Sequence, residues 1–434
     1  MAIGDNGNFR EGRQSSNAEH KISGARDMNC RHCNTPLQQT FLDLGFAPPS
    51  NAYLTAADLS KPEKYYPLRI KVCTECWLVQ TEDYAEAEEL FSSEYAYFSS
   101  TSKSWLEHAE RYSKTMIEKF ALNSESLVVE IASNDGYLLR NFVARNIPCL
   151  GIEPTDSTAA VAEQQGIPVL REFFGEDLAQ QLVTRGQQAD LIAGNNVYAH
   201  VPDINDFTRG LKILLKPGGT ITLEFPHVMR LLEFTQFDTV YHEHFSYLSL
   251  YTVNRIFKAA GLKVTDVEEL PTHGGSLRVY GCHEDDPRPI LDAVTDILAE
   301  EKKRGLQEGT IYRDFQKRAD TVKNDLLGFL LQARQEGKTV AAYGAAAKGN
   351  TLLNYAGVKP DLLLFVCDAA IAKQGKYMPG SHIPIVAPDQ LTFKIPDYLV
   401  VLPWNIFPEI HTQYSKLTTL GTKFVTAVPE LKIR

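Results

Sequence analysis

The chain has 434 residues, with 44 Lys and Arg against 54 Asp and Glu, and a formal net charge of −10 when histidines are neutral. That balance excludes a broad basic surface for nucleic acid, and no stretch approaches the ~20 consecutive apolar residues of a membrane span. The length exceeds what one hydrophobic core organises, so several domains are expected, and the 44% hydrophobic content is that of a folded chain.

Residues 1–27 are polar and lack the apolar core of a secretory signal, so they read as a disordered tail on a cytoplasmic protein. Two knuckles follow, Cys30-Arg31-His32-Cys33 and Cys73-Thr74-Glu75-Cys76, within a module assigned to residues 28–85. Four such thiolates can close around one tetrahedral zinc, and with sulfur at every position the metal is structural, without an open site for activating water. A redox-active CxxC or simple buried thiols are the alternatives. Cys149, Cys282 and Cys367 lie in apolar runs at irregular spacing, which suits buried free thiols in a reducing compartment.

A second domain is assigned to residues 86–286, entered through a helical approach over 86–122. Its Glu94-Tyr95-Ala96-Tyr97-Phe98 segment makes Tyr95 and Tyr97 candidates for ligand contact, with packing beside the helix as the alternative. Leu127 to Ile131 is a β-branched run that stops in Ala132-Ser133-Asn134-Asp135-Gly136, before the helix-like Tyr137-Leu138-Leu139-Arg140. Small residues there let backbone approach a ligand beside exposed helix amides, which makes Glu130, Ala132, Asn134 and Gly136 cofactor candidates. Cys149 to Ile152 predicts the next strand, ending at Glu153, whose carboxylate can accept both hydroxyls of a ribose. A later strand ends at Asn195-Asn196, and Pro217-Gly218-Gly219 turns into another. Strand and helix alternate throughout, the order of a parallel α/β sheet.

This series resembles a class I S-adenosylmethionine methyltransferase, whose loop follows an acidic residue, here Glu130, and whose fifth strand follows a Pro-Gly-Gly turn. Ala132 departs from it, standing where many members carry glycine. A dinucleotide-binding dehydrogenase shares these devices, but no second glycine stands where a pyrophosphate needs close approach.

Tyr241-His242-Glu243-His244-Phe245-Ser246-Tyr247 then packs two imidazoles, a carboxylate and two phenols into seven residues. Such groups suit removal of a proton beside a carbonyl, since histidine titrates near ~6.5 and a neighbouring acid or phenol can orient it. A polar segment that merely caps and solvates is the alternative. His242 need not share the face that His244 presents and is left outside the catalytic set. His273-Gly274-Gly275-Ser276-Leu277-Arg278 reads as a turn feeding a strand, with Arg278 able to hold a phosphate or carboxylate, or simply a surface cation.

Residues 287–434 read as a charged helical linker followed by a second Rossmann-like domain. Its first strand, Thr339 to Tyr343, leads into Gly344-Ala345-Ala346-Ala347-Lys348-Gly349-Asn350-Thr351, a candidate phosphate cradle in which Lys348 supplies a cation and Asn350 a polar side chain. Strands are predicted over 362–367, 398–402 and 423–426.

Together, the paired CxxC knuckles, the loop from Glu130, the Tyr241–Tyr247 cluster, the His273-Gly274-Gly275 turn and the Gly344–Thr351 loop resemble the sugar C-methyltransferases of deoxysugar biosynthesis. The resemblance covers nearly the whole chain after the tail. It implies a zinc module, a central S-adenosylmethionine domain and a C-terminal Rossmann-like domain, acting on a nucleotide-linked 4-ketohexose at the carbon beside the ketone. It further implies His244 as base, Tyr241 and Glu243 positioning the sugar or handling the enolate, and His200 as a second proton-handling group. Cofactor contacts then fall to Glu130, Ala132, Asn134, Gly136, Glu153, Asn195 and Asn196, and substrate contacts to Tyr95, Tyr97, Arg278, Lys348 and Asn350. An O- or N-methyltransferase and a non-catalytic scaffold are the rivals, and a monomer or weak homo-oligomer is expected.

Overall fold

The computed structural model describes residues 28–82 and 98–434; the expected tail, Tyr95 and Tyr97 lie outside the described residues. In the N-terminal module Leu68, Ile70 and Val72 turn inward at every second position, the period of a strand with one buried face. They belong to an antiparallel meander of β1 (Gln39–Ala47), β2 (Tyr66–Val72) and β3 (Val79–Thr81).

The central sheet contains β4 (Val128–Ile131), β5 (Cys149–Ile152), β6 (Val169–Leu170), β7 (Ala189–Asn195) and β8 (Leu215–Pro226). After β9 (Ser246–Tyr247) it is completed by β10 (Leu262–Leu270) and β11 (Ser276–His283). The order is β10-β11-β8-β7-β4-β5-β6, with β11 antiparallel to both its neighbours and every other pairing parallel. All four residues of β4 and of β5 are buried, as strands covered on both faces must be. The chain order reverses between β4 and β7, and ligands of open α/β sheets bind outside the strand ends at such a point.

The helix expected from Tyr137 is shorter than the sequence suggests, a single turn over Arg140–Val143. Asn146 takes a left-handed conformation (φ 55°) and the Ile147 N–H returns to the Phe142 carbonyl, which closes the turn before Pro148.

In the C-terminal domain β12 (Val340–Tyr343), β13 (Val366–Cys367), β14 (Ile385–Val386), β15 (Tyr398–Val401), β16 (Lys423–Thr426) and β17 (Lys432–Ile433) take the order β14-β13-β12-β15-β16-β17, antiparallel only at the last. The strand expected over 362–367 is reduced to its last two residues, because the Leu362 and Leu363 N–H groups turn back to the Lys359 carbonyl.

Five helices matter below: α1 (Lys103–Phe120), α2 (Ile204–Leu214), α3 (Leu250–Ala259), α4 (Phe315–Gln335) and α5 (Ala347–Tyr355). The charged segment after 287 is helical, and α4 buries Phe315, Ala319, Val322, Leu326, Leu330 and Ala333 along one stripe. That stripe shares a core with Phe41 and Leu44 of β1 and with Leu352 and Leu353 of α5, so the N-terminal module and the C-terminal domain are packed as one body. Among the described residues no helix is long and apolar enough to cross a membrane.

Candidate active site

The four knuckle cysteines bring their sulfurs within 4.8 Å of one another, and Cys30, Cys73 and Cys76 are buried. The Gln80 amide donates to Cys30 Sγ at 3.2 Å, and the Glu75 and Cys76 N–H groups point at Cys73 Sγ at 3.4 and 3.5 Å. Donors aimed at sulfur are what metal-bound thiolates need, so the residues fit a zinc ion held entirely by Cys30, Cys33, Cys73 and Cys76. His32 is not a competitor, since its Nδ1 meets Asn205 Oδ1 at 2.8 Å.

At the switch point, the loop after β4 bends through left-handed residues, with φ 57° at Ala132, 49° at Asn134 and 78° at Gly136. A Cβ at Gly136 would come 2.4 Å from Ile167 Cδ1, so close packing and conformation both require glycine. Glu153 fixes this loop: one carboxylate oxygen accepts the Asn134 N–H at 2.9 Å and the other the Thr155 N–H at 3.0 Å. Asn134 Oδ1 and Asp135 Oδ2 in turn accept the Ser99 and Ser100 N–H groups at 2.9 and 3.1 Å, tying the entry of α1 to the loop. Glu130 lies fully buried beneath, its carboxyl pushed well above the usual range by burial, with a Tyr137 hydrogen bond opposing.

Several buried polar atoms around this edge have no hydrogen-bond partner among the described residues: Asp135 Oδ1, both side-chain atoms of Asn195, and Asn196 Oδ1. Such atoms are costly in a finished core and are accounted for by a polar ligand. The donor and acceptor set therefore fits S-adenosylmethionine.

Trp105 of α1 forms a wall beside the loop, stacked on His108 at 4.8 Å and Tyr137 at 5.9 Å, with its edge against His273 at 5.3 Å. His108 Nε2 meets Glu224 at 2.8 Å. Arg278, expected to receive a phosphate or carboxylate from a ligand, is only 5% exposed and spends its fork on Glu224 at 2.5 Å and Glu268 at 2.9 Å. Two carboxylates of the chain itself neutralise it, so it braces β11 against β8 and β10 rather than offering an unpaired charge to a ligand.

The histidine-rich segment lies at the end of β7. His244 Nδ1 donates to the Thr239 carbonyl at 3.0 Å, which leaves Nε2 to accept from the Tyr241 hydroxyl at 2.6 Å. The His200 ring lies edge-on to His244, centres 4.5 Å apart, and its Nδ1 donates to the Glu243 carbonyl at 2.8 Å. Burial lowers the pKa of both: His200 to about 4, and His244 well below its ordinary value, with the proximity of His200 adding to the effect. Both rings are therefore neutral at physiological pH, each with its Nδ1 donating to a backbone carbonyl. Burial pushes the Glu243 carboxyl up to about 6; it accepts the Asn51 amide at 3.1 Å. His242 turns to the N-terminal module instead, buried against Tyr66 with ring centres 6.0 Å apart.

The C-terminal domain closes the other side, where the expected loop over Gly344–Thr351 is already helical from Ala347, the start of α5. Lys348 lies over the Trp404 ring at 5.0 Å, with the Asn405 side-chain oxygen at 3.4 Å and the His273 carbonyl at 3.5 Å as its hydrogen-bond partners among the described residues, and burial lowers its pKa. Asp238 accepts the Trp404 N–H at 2.8 Å, and burial raises its carboxyl to about 6. Asn350 is placed differently from the expectation: fully buried, it donates to the Ser50 carbonyl at 2.5 Å and so anchors the loop that presents Asn51 to Glu243.

Trp105, His108, Asn51, Asp238 and Trp404 carry no spacing that marks them in the sequence. They come from four separate segments that only the tertiary fold brings to the cleft.

One consequence concerns pH. Burial lowers His242 to about 4 and leaves it 4% exposed, whereas in the unfolded chain it titrates at ~6.5. A histidine kept neutral by the fold stabilises it fully above the unfolded pKa, and the contribution is lost as pH falls toward the folded pKa. Between pH 7 and pH 5 each such histidine should cost about 2 kcal/mol, with His200 and His273 acting in the same sense. Glu243 and Asp238, raised to about 6, act oppositely and recover part of the loss. The urea midpoint should fall from pH 7 to pH 5, and in His242→Phe the fall should be smaller; an equal fall in both would exclude His242 as a contributor.

Family models match along the chain: a zinc binding domain over residues 30–91, a methyltransferase domain over 105–267 and a C-methyltransferase C-terminal domain over 271–429. Solved structures overlay in part. A methyltransferase from Anabaena variabilis is 16% identical, covers 40% of this chain and 85% of its own, and gives a TM-score of 0.34. Magnesium protoporphyrin IX methyltransferase from Synechocystis, with bound S-adenosylmethionine, is 13% identical over 41% of this chain and 78% of its own, at a TM-score of 0.32. The C-methyltransferase NovU of Streptomyces niveus is 34% identical over 404 residues, 93% of this chain and 96% of that one. With that identity along almost its whole length, a four-sulfur site and a cofactor cleft in place, the chain belongs to the C-methyltransferase family, as an S-adenosylmethionine-dependent C-methyltransferase with a structural zinc.

Proposed function

We propose that the enzyme methylates a nucleotide-linked 4-keto-deoxyhexose, a thymidine diphosphate sugar, at C-3. The observation that carries this reading is the pair of neutral imidazoles, half-buried His200 and buried His244, 4.5 Å apart beside Tyr241 at the end of the strand that carries Asn195. A ketone acidifies the neighbouring C–H bond, and an imidazole held neutral at physiological pH is in the protonation state that can take up that proton. His244 Nε2 takes the C-3 proton while Thr239 holds its other nitrogen protonated. The electron pair moves onto the ketone oxygen, where the Tyr241 hydroxyl, turned from His244, donates to the enolate.

S-adenosylmethionine, when bound, supplies the electrophilic methyl group: the C-3 carbanion forms the new carbon–carbon bond as the sulfur–methyl bond breaks. His244 then releases its proton to water. His200, oriented by the Glu243 carbonyl, is the second proton-handling group, and Glu243, steadied by Asn51, meets the sugar. Lys348, a cation with no carboxylate in contact among the described residues, is assigned to the diphosphate, whose charge restores the protonated form that burial disfavours.

The test is incubation with S-adenosylmethionine and a panel of thymidine diphosphate 4-ketohexoses in deuterated water, read by mass spectrometry and NMR. A carbon-linked methyl beside the ketone, together with solvent deuterium at that carbon when the methyl donor is omitted, is the expected result. An oxygen- or nitrogen-linked methyl, or no product across the panel, would overturn the substrate and reaction proposed.

A further inference from the structure

The proton-handling centre is gripped by the metal module. In β3, Gln80 and Thr81 are consecutive, so their side chains leave on opposite faces. Gln80 turns to the sulfurs, donating to Cys30 Sγ at 3.2 Å and accepting the Arg31 N–H at 3.0 Å. Thr81 turns to the histidine segment: its hydroxyl donates to the His244 carbonyl and its N–H to the Phe245 carbonyl at 3.1 Å. The same strand pairs with β9, Gln80 opposite Ser246 and Val79 opposite Tyr247, so a strand from the central domain completes the module's own sheet.

Arg31 joins the second histidine to this arrangement. Planted between Cys30 and Cys33, it donates from Nη2 to the Thr81 carbonyl at 3.0 Å and from Nη1 to the Pro202 carbonyl at 2.9 Å, two residues beyond His200. Its guanidinium also lies 5.3 Å from the centre of the Phe245 ring. One side chain rooted in the knuckle therefore touches both the segment that ends in His200 and the one that carries His244. A cross-link that served only its own module would need none of these contacts.

We propose that the zinc knuckle is a positioning element for the two-histidine centre, acting through Arg31 and Thr81. The inference rests on the reading that His244 and His200 handle the substrate proton. Neither Arg31 nor Thr81 need touch substrate; they set the height and spacing of the two rings, and displacements near 1 Å in such a site cost up to about 100-fold in rate.

The experiment uses full-length Thr81→Val, Thr81→Ser and Arg31→Lys, with His244→Asn as reference. Three quantities are measured on each: zinc per chain, S-adenosylmethionine affinity, and deuterium exchange at the carbon beside the ketone without the methyl donor. Thr81→Val and Arg31→Lys should keep their zinc and cofactor affinity while exchange and kcat fall by about 10-fold or more and KM stays unchanged. Thr81→Ser, which keeps the donor, should restore exchange to near the wild-type rate. Wild-type exchange in both Thr81→Val and Arg31→Lys would overturn the inference, as would loss of zinc in both, because the bonds would then serve the module and not the histidines. Full exchange in His244→Asn would instead overturn the underlying reading, so the two failures are distinguishable.

Discussion

Replacing His244 by Asn should lower methyl transfer by ~10² to 10⁴-fold while S-adenosylmethionine binds with unchanged affinity. The asparagine amide can still donate to the Thr239 carbonyl, so the backbone turn that carries the residue persists, but no atom of it accepts a carbon-bound proton at neutral pH. Cofactor binding should be spared because the loop from Ala132 to Gly136 is held by Glu153 and by the start of α1, none of which touches the histidine. The loss should appear equally in kcat and in kcat/KM, the mark of an interaction made only in the transition state. Isotope exchange gives an independent reading: without methyl donor, the variant should exchange the substrate proton slowly and the wild type rapidly. Unchanged turnover would remove His244 as the base and leave His200, with its Nδ1 committed to the Glu243 carbonyl, as the next candidate.

Where sequence reasoning reached the structure, local chemistry left little choice. Val128–Ile131 is buried throughout, Gly136 needs a positive φ and has no room for a Cβ, and CxxC spacing confines two sulfurs to one turn. The single-turn helix at Arg140 and the short strand at Val366 departed from expectation because one turn-forming residue or one backbone hydrogen bond decides where such elements stop. Polar roles were less legible. Arg278 reads in sequence as an available cation, yet Glu224 and Glu268 arrive from other strands to claim it. Asn350 belongs to a segment that reads in sequence as a diphosphate loop, but it lies in the first turn of α5 with its side chain turned inward onto Ser50, three hundred residues away in the chain. A sequence shows which groups can carry a charge or a proton; which of them a neighbour has already taken is decided by tertiary contacts.

Removing zinc, by chelation or in Cys73→Ser, should cost both fold stability and activity. The ion's chemical contribution is a closed tetrahedral cross-link, and structural zinc binding is worth ~10–16 kcal/mol in small zinc-finger peptides, where it is also the folding free energy. Only part of that should appear here, because β1 and β2 keep apolar contacts with α4 and α5 when the knuckles open. A net loss of several kcal/mol should still lower Tm by about 10 °C, at roughly 2–4 °C per kcal/mol for domains of this size. The damage should not stay local. Arg31 bonds to Pro202, Asn205 bonds to the backbone of Arg31 and His32, and Thr252 of α3 bonds to the Cys76 carbonyl, so an opened knuckle withdraws support from α2 and α3 of the central domain. Elemental analysis should find about one zinc per chain, and a thermal melt before and after chelation should show the shift, reversed when zinc is returned. A zinc-free protein that melts at the same temperature and turns over at the full rate would reject the structural role.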